Sequence, residues 1–395
     1  MNQRSEFHRP ANRMKTAALL FLLTLLFAAL PTGMRSAENA KKYLVYVGTY
    51  TNTGSKGIYA YRFDPATGNT ESLGLAAETE EPSFLALAPN RRFLYAANET
   101  KNYGGQKTGA VTAFSVDRAT GKLSQLNELA SRGEDPAFLS LDKTGKYLLV
   151  ANYTGGTIAV FPVLAGGKLG EASAFVQHAG SGPNQARQQG PHPHMIVTSP
   201  DNRFALVPDL GLDEVLAYHF DATKGTLANP SVTKSEPGIG PRHIAISPDG
   251  RFIYLVSELE PKVTVFSYHA SDAAMAQLQS VSFIPANASQ KAGAEVQVSA
   301  SGKFLYASNR GENLIAVFAI DPAKGTLTQV QTVALEGKTP RSFSLDPTGE
   351  WLWDANQDSD SIVLYRVDPN TGQLTPSGQK LTVSSPTCVV FVPLP

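Results

Sequence analysis

A seven-fold echo runs through this 395-residue chain: a short strand, a Ser/Asp-Pro-Asp-Gly-like turn, a second strand ending near Asn, then a third strand. Its clearest copy is GPRHIAISPDGRFIYLVSELEPKVTVFSY, Gly240 to Tyr268. Strand openers follow Pro82, Pro136, Pro193, Pro241, Ala294, Pro340 and Pro386, at spacings of 54, 57, 48, 53, 46 and 46 residues. Self-similarity at that period implies stacked supersecondary units, each too thin to bury its own faces, which close into a ring of four-stranded blades.

The seventh copy, PTCVVFVP, stops at the C-terminus without its remaining strands. The missing strands stand at the other end of the chain: YLVYVGTY (Tyr43–Tyr50), GIYAYRFD (Gly57–Asp64) and a run near Ser72–Ala77. A C-terminal strand that completes the N-terminal blade leaves no open sheet edge at the seam. The expected fold is therefore all-β, a seven-bladed β-propeller of four-stranded antiparallel blades. Within each repeat the period is 2, as in Phe252, Tyr254 and Val256 against Ile253, Leu255 and Ser257, which is strand patterning. No helical period emerges after residue 37. The 33 Gly, 26 Pro and 42% hydrophobic residues supply turns and a large core, and the repeat makes residues 38–395 one domain despite their number.

The first 37 residues read differently. Arg4, Arg9, Arg13 and Lys15 precede a 14-residue apolar run, Ala17–Leu30. That run is too short to span a bilayer and has the length of a secretory signal core. The expectation is a signal peptide over 1–37 and a periplasmic or secreted protein with no stable membrane span after cleavage. Those residues hold five Lys/Arg and one Glu, so 29 basic and 33 acidic side chains remain beyond them, about −4 in net charge. That balance argues against nucleic acid as a partner. The one cysteine, Cys388, cannot form an intramolecular disulfide. It lies in the apolar closing strand and reads as a core residue.

In an antiparallel hairpin the start of the first strand and the end of the second lie at the same end. Each repeat therefore presents two positions to one face of the ring. The openers are Ser83, Ala137, His194, Arg242, Glu295, Arg341 and Thr387. The second strands end at Thr49-Tyr50, Asn98-Glu99, Asn152-Tyr153, Asp209, Glu258, Asn309-Arg310 and Asn356-Gln357. Three consecutive blades thus bring His194, Asp209, Arg242, Glu258, Glu295 and Arg310 to one side of the channel mouth. Such residues can serve merely to cap and stabilise the ring. Clustered charge withdrawn from water needs good pairing, however, and marks a candidate site. His192-Pro-His194 has no third ligand at a telling spacing, so no metal is expected, and nothing calls for a cofactor.

At these residues the chain resembles the lactonase family of seven-bladed propellers, which includes propeller-type 6-phosphogluconolactonases and fungal carboxymuconate lactonizing enzymes. The resemblance covers essentially everything after residue 42. It rests on YVGTYTNTGSKGIYAYRFDPATG, PHPHMIVTSPDNRFALVPDLGLDEVLAY, GPRHIAISPDGRFIYLVSELEPKVTVF and ASNRGENLIAVFAID together. It implies a hydrolase opening a sugar-acid lactone, with His194, Arg242, Glu258 and Arg310 as catalytic positions. His192, Asp209, His243, Glu295, Arg341, Asn356 and Gln357 complete the candidate set as substrate-binding positions. A small-molecule lactone is the implied partner; the chain is expected to be a monomer.

A lactone is an internal ester, so its hydrolysis needs an activated water and a stabilised oxyanion. Arginine suits the second task. His194 is the preferred general base and Glu258 the group that orients an arginine or the water, with an exchange of those two roles left open. The 32 residues Ala165–Ile196 read as a long insertion beside the channel, either a lid or a surface excursion. The rival class is a non-catalytic extracytoplasmic propeller that binds a glycan, a peptide or a redox partner.

Overall fold

The computed structural model describes residues 42–394. The expected signal peptide over 1–37 lies outside the described residues. Seven four-stranded antiparallel sheets, twenty-eight strands in all, make up the described chain. We number the blades from the N-terminus. Blade 1 joins the two ends of the chain, in the order Pro386–Pro393, Tyr43–Thr49, Gly57–Phe63 and Thr70–Glu78. Blades 2 to 7 begin with Pro82–Leu87, Pro136–Leu141, Val197–Thr198, Pro241–Ile246, Gly293–Val298 and Pro340–Leu345. The first strands pack side by side around the axis, and Pro386–Pro393 touches both Pro82–Leu87 and Pro340–Leu345, closing the ring. No helix among the described residues is long and apolar enough to cross a membrane.

Burial follows strand position. Second strands such as Phe93–Asn98 and Trp351–Asn356 are buried along their whole length, whereas fourth strands such as Thr226–Lys234 are mostly exposed. Sandwiching each second strand between neighbouring blades explains why those runs are almost continuously apolar. The Ser or Asp that opens the turn between the first two strands of blades 3 to 7 has a local task. Ser199, Ser247 and Ser299 accept the amides of Phe204, Phe252 and Phe304 through Oγ at 3.0, 3.0 and 3.1 Å. Asp142 and Asp346 do the same for Tyr147 and Trp351 at 2.9 and 2.8 Å. Each acceptor ties the turn to the strand that follows it.

The seam carries the densest aromatic packing. Phe63 of blade 1 meets Trp351 and Trp353 of blade 7 edge-on, at 5.6 and 5.2 Å between ring centres, and Phe391 meets Trp353 at 5.6 Å. Each such pair adds about 0.5–1.5 kcal/mol to the burial of its area. Gly68 belongs to this seam: its φ is +81°, and a Cβ there would lie 2.1 Å from the Trp351 ring. Glycine alone meets both conditions.

Blade 4 departs from the repeat. Its first strand is reduced to Val197–Thr198, and the expected opener at Pro193 makes only an isolated bridge to Asp209. The supposed 32-residue insertion is shorter than the sequence implied. Ala165–Gly167 is a single 3₁₀ turn and Ala174–Gln177 is the fourth strand of blade 3. The true excursion is 178–196, and it is anchored. Gln188 is fully buried, donates to Leu210 O at 2.8 Å and accepts the Asn184 amide at 2.9 Å.

Candidate active site

A register shift sits at the mouth of every blade. Pro82 pairs with Asn98 but Phe84 with Ala97, so Ser83 is extra; Ala137, Arg242 and Arg341 occupy the same place in blades 3, 5 and 7. Thr387 is the extra residue of blade 1. In blade 6 both Ala294 and Glu295 fall between the pairs Gly293–Asn309 and Val296–Ala307. In blade 4 His194, Met195 and Ile196 fall between Pro193–Asp209 and Val197–Leu206. Such bulges re-aim a side chain locally. Here they turn one residue per blade to the axis: Ser83, Ala137, His194, Arg242, Glu295, Arg341 and Thr387 together line one small central cavity.

Four of these residues, Ser83, Ala137, His194 and Thr387, are small or polar without a full charge, counting the histidine as neutral; the charge is concentrated in blades 5 to 7. Arg242 is buried and donates from Nε to Glu258 Oε2 at 3.1 Å and from Nη1 to Ala294 O at 2.6 Å. Glu258 comes from the residue just past the second strand of blade 5. The same Oε2 receives Arg310 Nη2 at 2.7 Å, and Oε1 receives Arg187 Nη2 at 2.6 Å. Burial by itself would raise the Glu258 pKa, but Arg310, Arg242 and Arg187 override it and hold the carboxylate well below its usual range. A glutamate so held is a poor proton acceptor and a firm anchor for three guanidinium groups.

His194 is 5% exposed. Its Nδ1 lies 3.2 Å from His243 Nε2, and His243 Nδ1 lies 3.3 Å from Glu295 Oε1. Burial, then Arg242 and His243, push the His194 pKa well below its ordinary value, and burial followed by Arg242 lowers that of His243. Both rings are thus neutral at pH 7. The rings of Phe84 and Phe138 stand against His243, with centres at 6.3 and 5.2 Å. Tyr153 meets His194 edge-on at 5.4 Å and stacks on His192 at 4.5 Å. On the opposite side Arg341 lies over the Tyr50 ring at 5.1 Å, with Glu99 3.6 Å from its Nη2 and bonded to the Tyr50 hydroxyl at 2.8 Å.

The remaining sequence candidates are placed elsewhere. Asp209 is fully buried beside the cavity wall; it accepts the His192 and Gly211 amides at 2.7 and 2.9 Å and bonds His178 Nδ1 at 2.7 Å. His192 uses Nδ1 on the Tyr153 carbonyl at 2.9 Å. These two residues support the 178–196 segment and do not line the cavity. Asn356, also fully buried, folds back on Asp354, donating to its carbonyl and carboxylate at 3.1 and 2.8 Å. Asn98 and Asn152 make comparable bonds to backbone and threonine neighbours in blades 2 and 3. In blades 2 and 3 the asparagine that ends the second strand ties it to the connection ahead of the blade. Gln357 opens a 3₁₀ turn, Gln357–Ser359, and donates to Asp358 Oδ1 at 3.1 Å.

Sequence reasoning passed over Arg187, which bridges Glu258 and the Tyr153 hydroxyl, the latter at 3.0 Å. It lies outside the repeat, in the excursion before blade 4, where repeat register carries no information. An arginine in a loop flanked by Gln and Pro beside the histidine-bearing opener was the available signal.

The chain can now be set beside known proteins. Over residues 44–391 it matches the family described as lactonase, 7-bladed beta-propeller. It is 34% identical over 308 residues to the 6-phosphogluconolactonase of Bacillus subtilis, a match spanning 78% of this chain and 86% of that protein. It is 32% identical over 310 residues to the 6-phosphogluconolactonase of Formosa agariphila, spanning 77% and 86%. The crystal structure of the periplasmic gluconolactonase of Pseudomonas aeruginosa superposes with a TM-score of 0.84 at 37% identity, covering 90% of this chain and all (100%) of the other. Fold, repeat and extent of match converge: this chain belongs to the lactonase family of seven-bladed β-propellers.

Proposed function

We propose that the chain is a lactone hydrolase, 6-phosphogluconolactonase-like in its chemistry, and that the reaction takes place at the central cavity. The observation that carries this reading is a neutral, buried His194 lining the same cavity as Arg242, with Glu258 behind Arg242 joining it to Arg310. His194 takes a proton from water as the water oxygen attacks the lactone carbonyl carbon. Arg242, whose Nη2 makes no hydrogen bond among the described residues, donates to the oxyanion. Glu258 fixes Arg242 and Arg310 in place. When the tetrahedral intermediate collapses, the ring C–O bond breaks and the protonated His194 returns its proton to the departing alkoxide. The sum is lactone plus water giving a hydroxy acid.

The substrate reading follows from the setting. The basic start and apolar run of residues 1–30, and the name of the Pseudomonas relative, support an exported protein. We read its substrate as an aldonolactone without a phosphate. The test is proton release by the purified protein on aldonolactones with and without a 6-phosphate. Turnover that His194→Ala reduces by about 10²–10⁴-fold and Arg242→Ala abolishes is the expected result. A silent panel together with tight glycan binding would replace the enzyme with a binding module.

A further inference from the structure

Among the polar groups of the cavity, three form a chain whose proton positions follow from chemistry alone. Arg242 Nη1 points at His243 Nε2 from 3.4 Å. A guanidinium has only donors, so that nitrogen must present a lone pair. The proton of the neutral His243 ring is then on Nδ1, where Glu295 Oε1 accepts it at 3.3 Å. His194 Nδ1 faces the same His243 Nε2 at 3.2 Å. Two lone pairs cannot bond, so His194 Nδ1 carries the proton and donates. A neutral imidazole protonated at Nδ1 is bare at Nε2, and His194 Nε2 has no hydrogen-bond partner among the described residues. The ring itself lines the cavity.

We propose that His243 and Glu295 are positioning residues that fix His194 in the tautomer with a bare Nε2 facing the cavity. For its catalytic consequence the inference rests on the lactonase reading; for its geometry it does not. The surroundings support it. Glu295 is itself held, accepting the Val296 amide on Oε1 at 3.0 Å and the Ser342 hydroxyl on Oε2 at 3.3 Å. A doubly protonated His243 would set N–H against N–H toward both Arg242 and His194, and the rings of Phe84 and Phe138 keep water from relieving that conflict. Four consecutive blades contribute one member each: His194, His243, Glu295 and Ser342. During turnover the proton that leaves water goes to Nε2, and the imidazolium keeps its Nδ1–H bond to His243 while the Glu295 charge offsets the new positive charge. No proton needs to travel along the chain.

The test reads the tautomer directly, by ¹⁵N–¹H spectroscopy of imidazole-labelled protein, with His194 assigned by its disappearance in His194→Gln. The expected wild-type pattern is a proton on His194 Nδ1 and a bare Nε2. In His243→Phe, which keeps a ring against Phe84 and Phe138, the proton is expected to move to Nε2, and kcat to fall by about 10²-fold with KM within a few-fold. Glu295→Gln keeps an acceptor oxygen but loses the charge; it should retain the wild-type tautomer and lose about 10-fold in kcat. A wild-type ring protonated on Nε2 overturns the proposal, as does a His243→Phe protein with an unchanged tautomer. A chain that opens no lactone but shows the expected tautomers overturns the function and leaves the positioning intact.

Discussion

Arg187 and Glu258 meet at 2.6 Å although 71 residues separate them. One comes from the excursion ahead of blade 4 and the other from the end of a strand in blade 5. Glu258 is buried and already serves Arg242 and Arg310, whereas the Arg187 side chain is 43% exposed. Arg187 is thus the most exposed guanidinium of this set, with a face toward solvent.

For Arg187→Ala the expected outcome is a KM increase of about 10-fold, equivalent to about 1.4 kcal/mol of binding, with kcat within a factor of about 2. A half-exposed ion pair contributes at most about 1 kcal/mol to folding, so thermal stability should barely move. Steady-state kinetics on the best lactone of the panel, alongside a melting curve, would check both halves. A collapse of kcat with unchanged KM would place Arg187 in the chemistry instead.

Glu258→Gln should behave in the opposite manner. It leaves the buried Arg242 and partly buried Arg310 without their shared counter-charge, and removing one partner of a buried pair costs about 3–5 kcal/mol. Because the folded pKa of Glu258 lies below its unfolded value, its stabilisation is fully present above the ordinary glutamate range and is lost as pH falls through the folded value. Denaturant unfolding at pH 7 and at pH 3 should therefore show a smaller gap between variant and wild type at the lower pH.

The pH profile of kcat/KM should place its acid limb below pH 6.5. Burial, Arg242, His243, Arg341 and Arg310 all lower the His194 pKa, in that order. The base is then available across the whole neutral range. Arg341→Gln, which removes one of the neighbouring charges, should shift the limb upward. The same sign governs stability: the neutral ring contributes fully above about pH 6.5, and that contribution is lost as pH falls through the folded value. A limb above pH 6.5 would exclude His194 as the base.

Asp354 offers a test away from the site. It occupies a second-strand position that holds Ala96, Val150 and Ala307 in blades 2, 3 and 6, and burial raises its pKa to about 7 despite the bond from Asn356. Its Oδ1 is buried without a partner. With the folded pKa above the unfolded one, stability is fully present below the unfolded value and is lost as pH rises toward 7. Asp354→Asn should raise Tm by several degrees at pH 8 and change it little at pH 5. Scanning calorimetry at the two values would decide, and equal shifts at both would remove the titration argument.

Repeat register by itself locates the cavity residues. Seven prolines or their stand-ins mark seven strand starts, so the residue after each can be read off, and all seven of those residues line one cavity. Register failed where side chains serve the backbone. Asp209 and Asn356 stand at the mouth end of their strands, as the period requires, but buried amides and carbonyls beside them need partners, and they turn to supply them. The sequence also shows alternation of period 2 without showing the bulge that interrupts it, because a bulge depends on two strands being paired.

What the sequence by itself determined is the ring: blade count, strand character, turn chemistry and closure by the C-terminal strand follow from period and composition, which are local properties. What only the tertiary structure decided is the arrangement of charges and protons. Arg187 reaching Glu258, and His243 of blade 5 meeting His194 of blade 4 and Glu295 of blade 6, join residues from different parts of the ring. Those contacts exist only once the ring has closed and burial has removed the water that would otherwise satisfy each group alone.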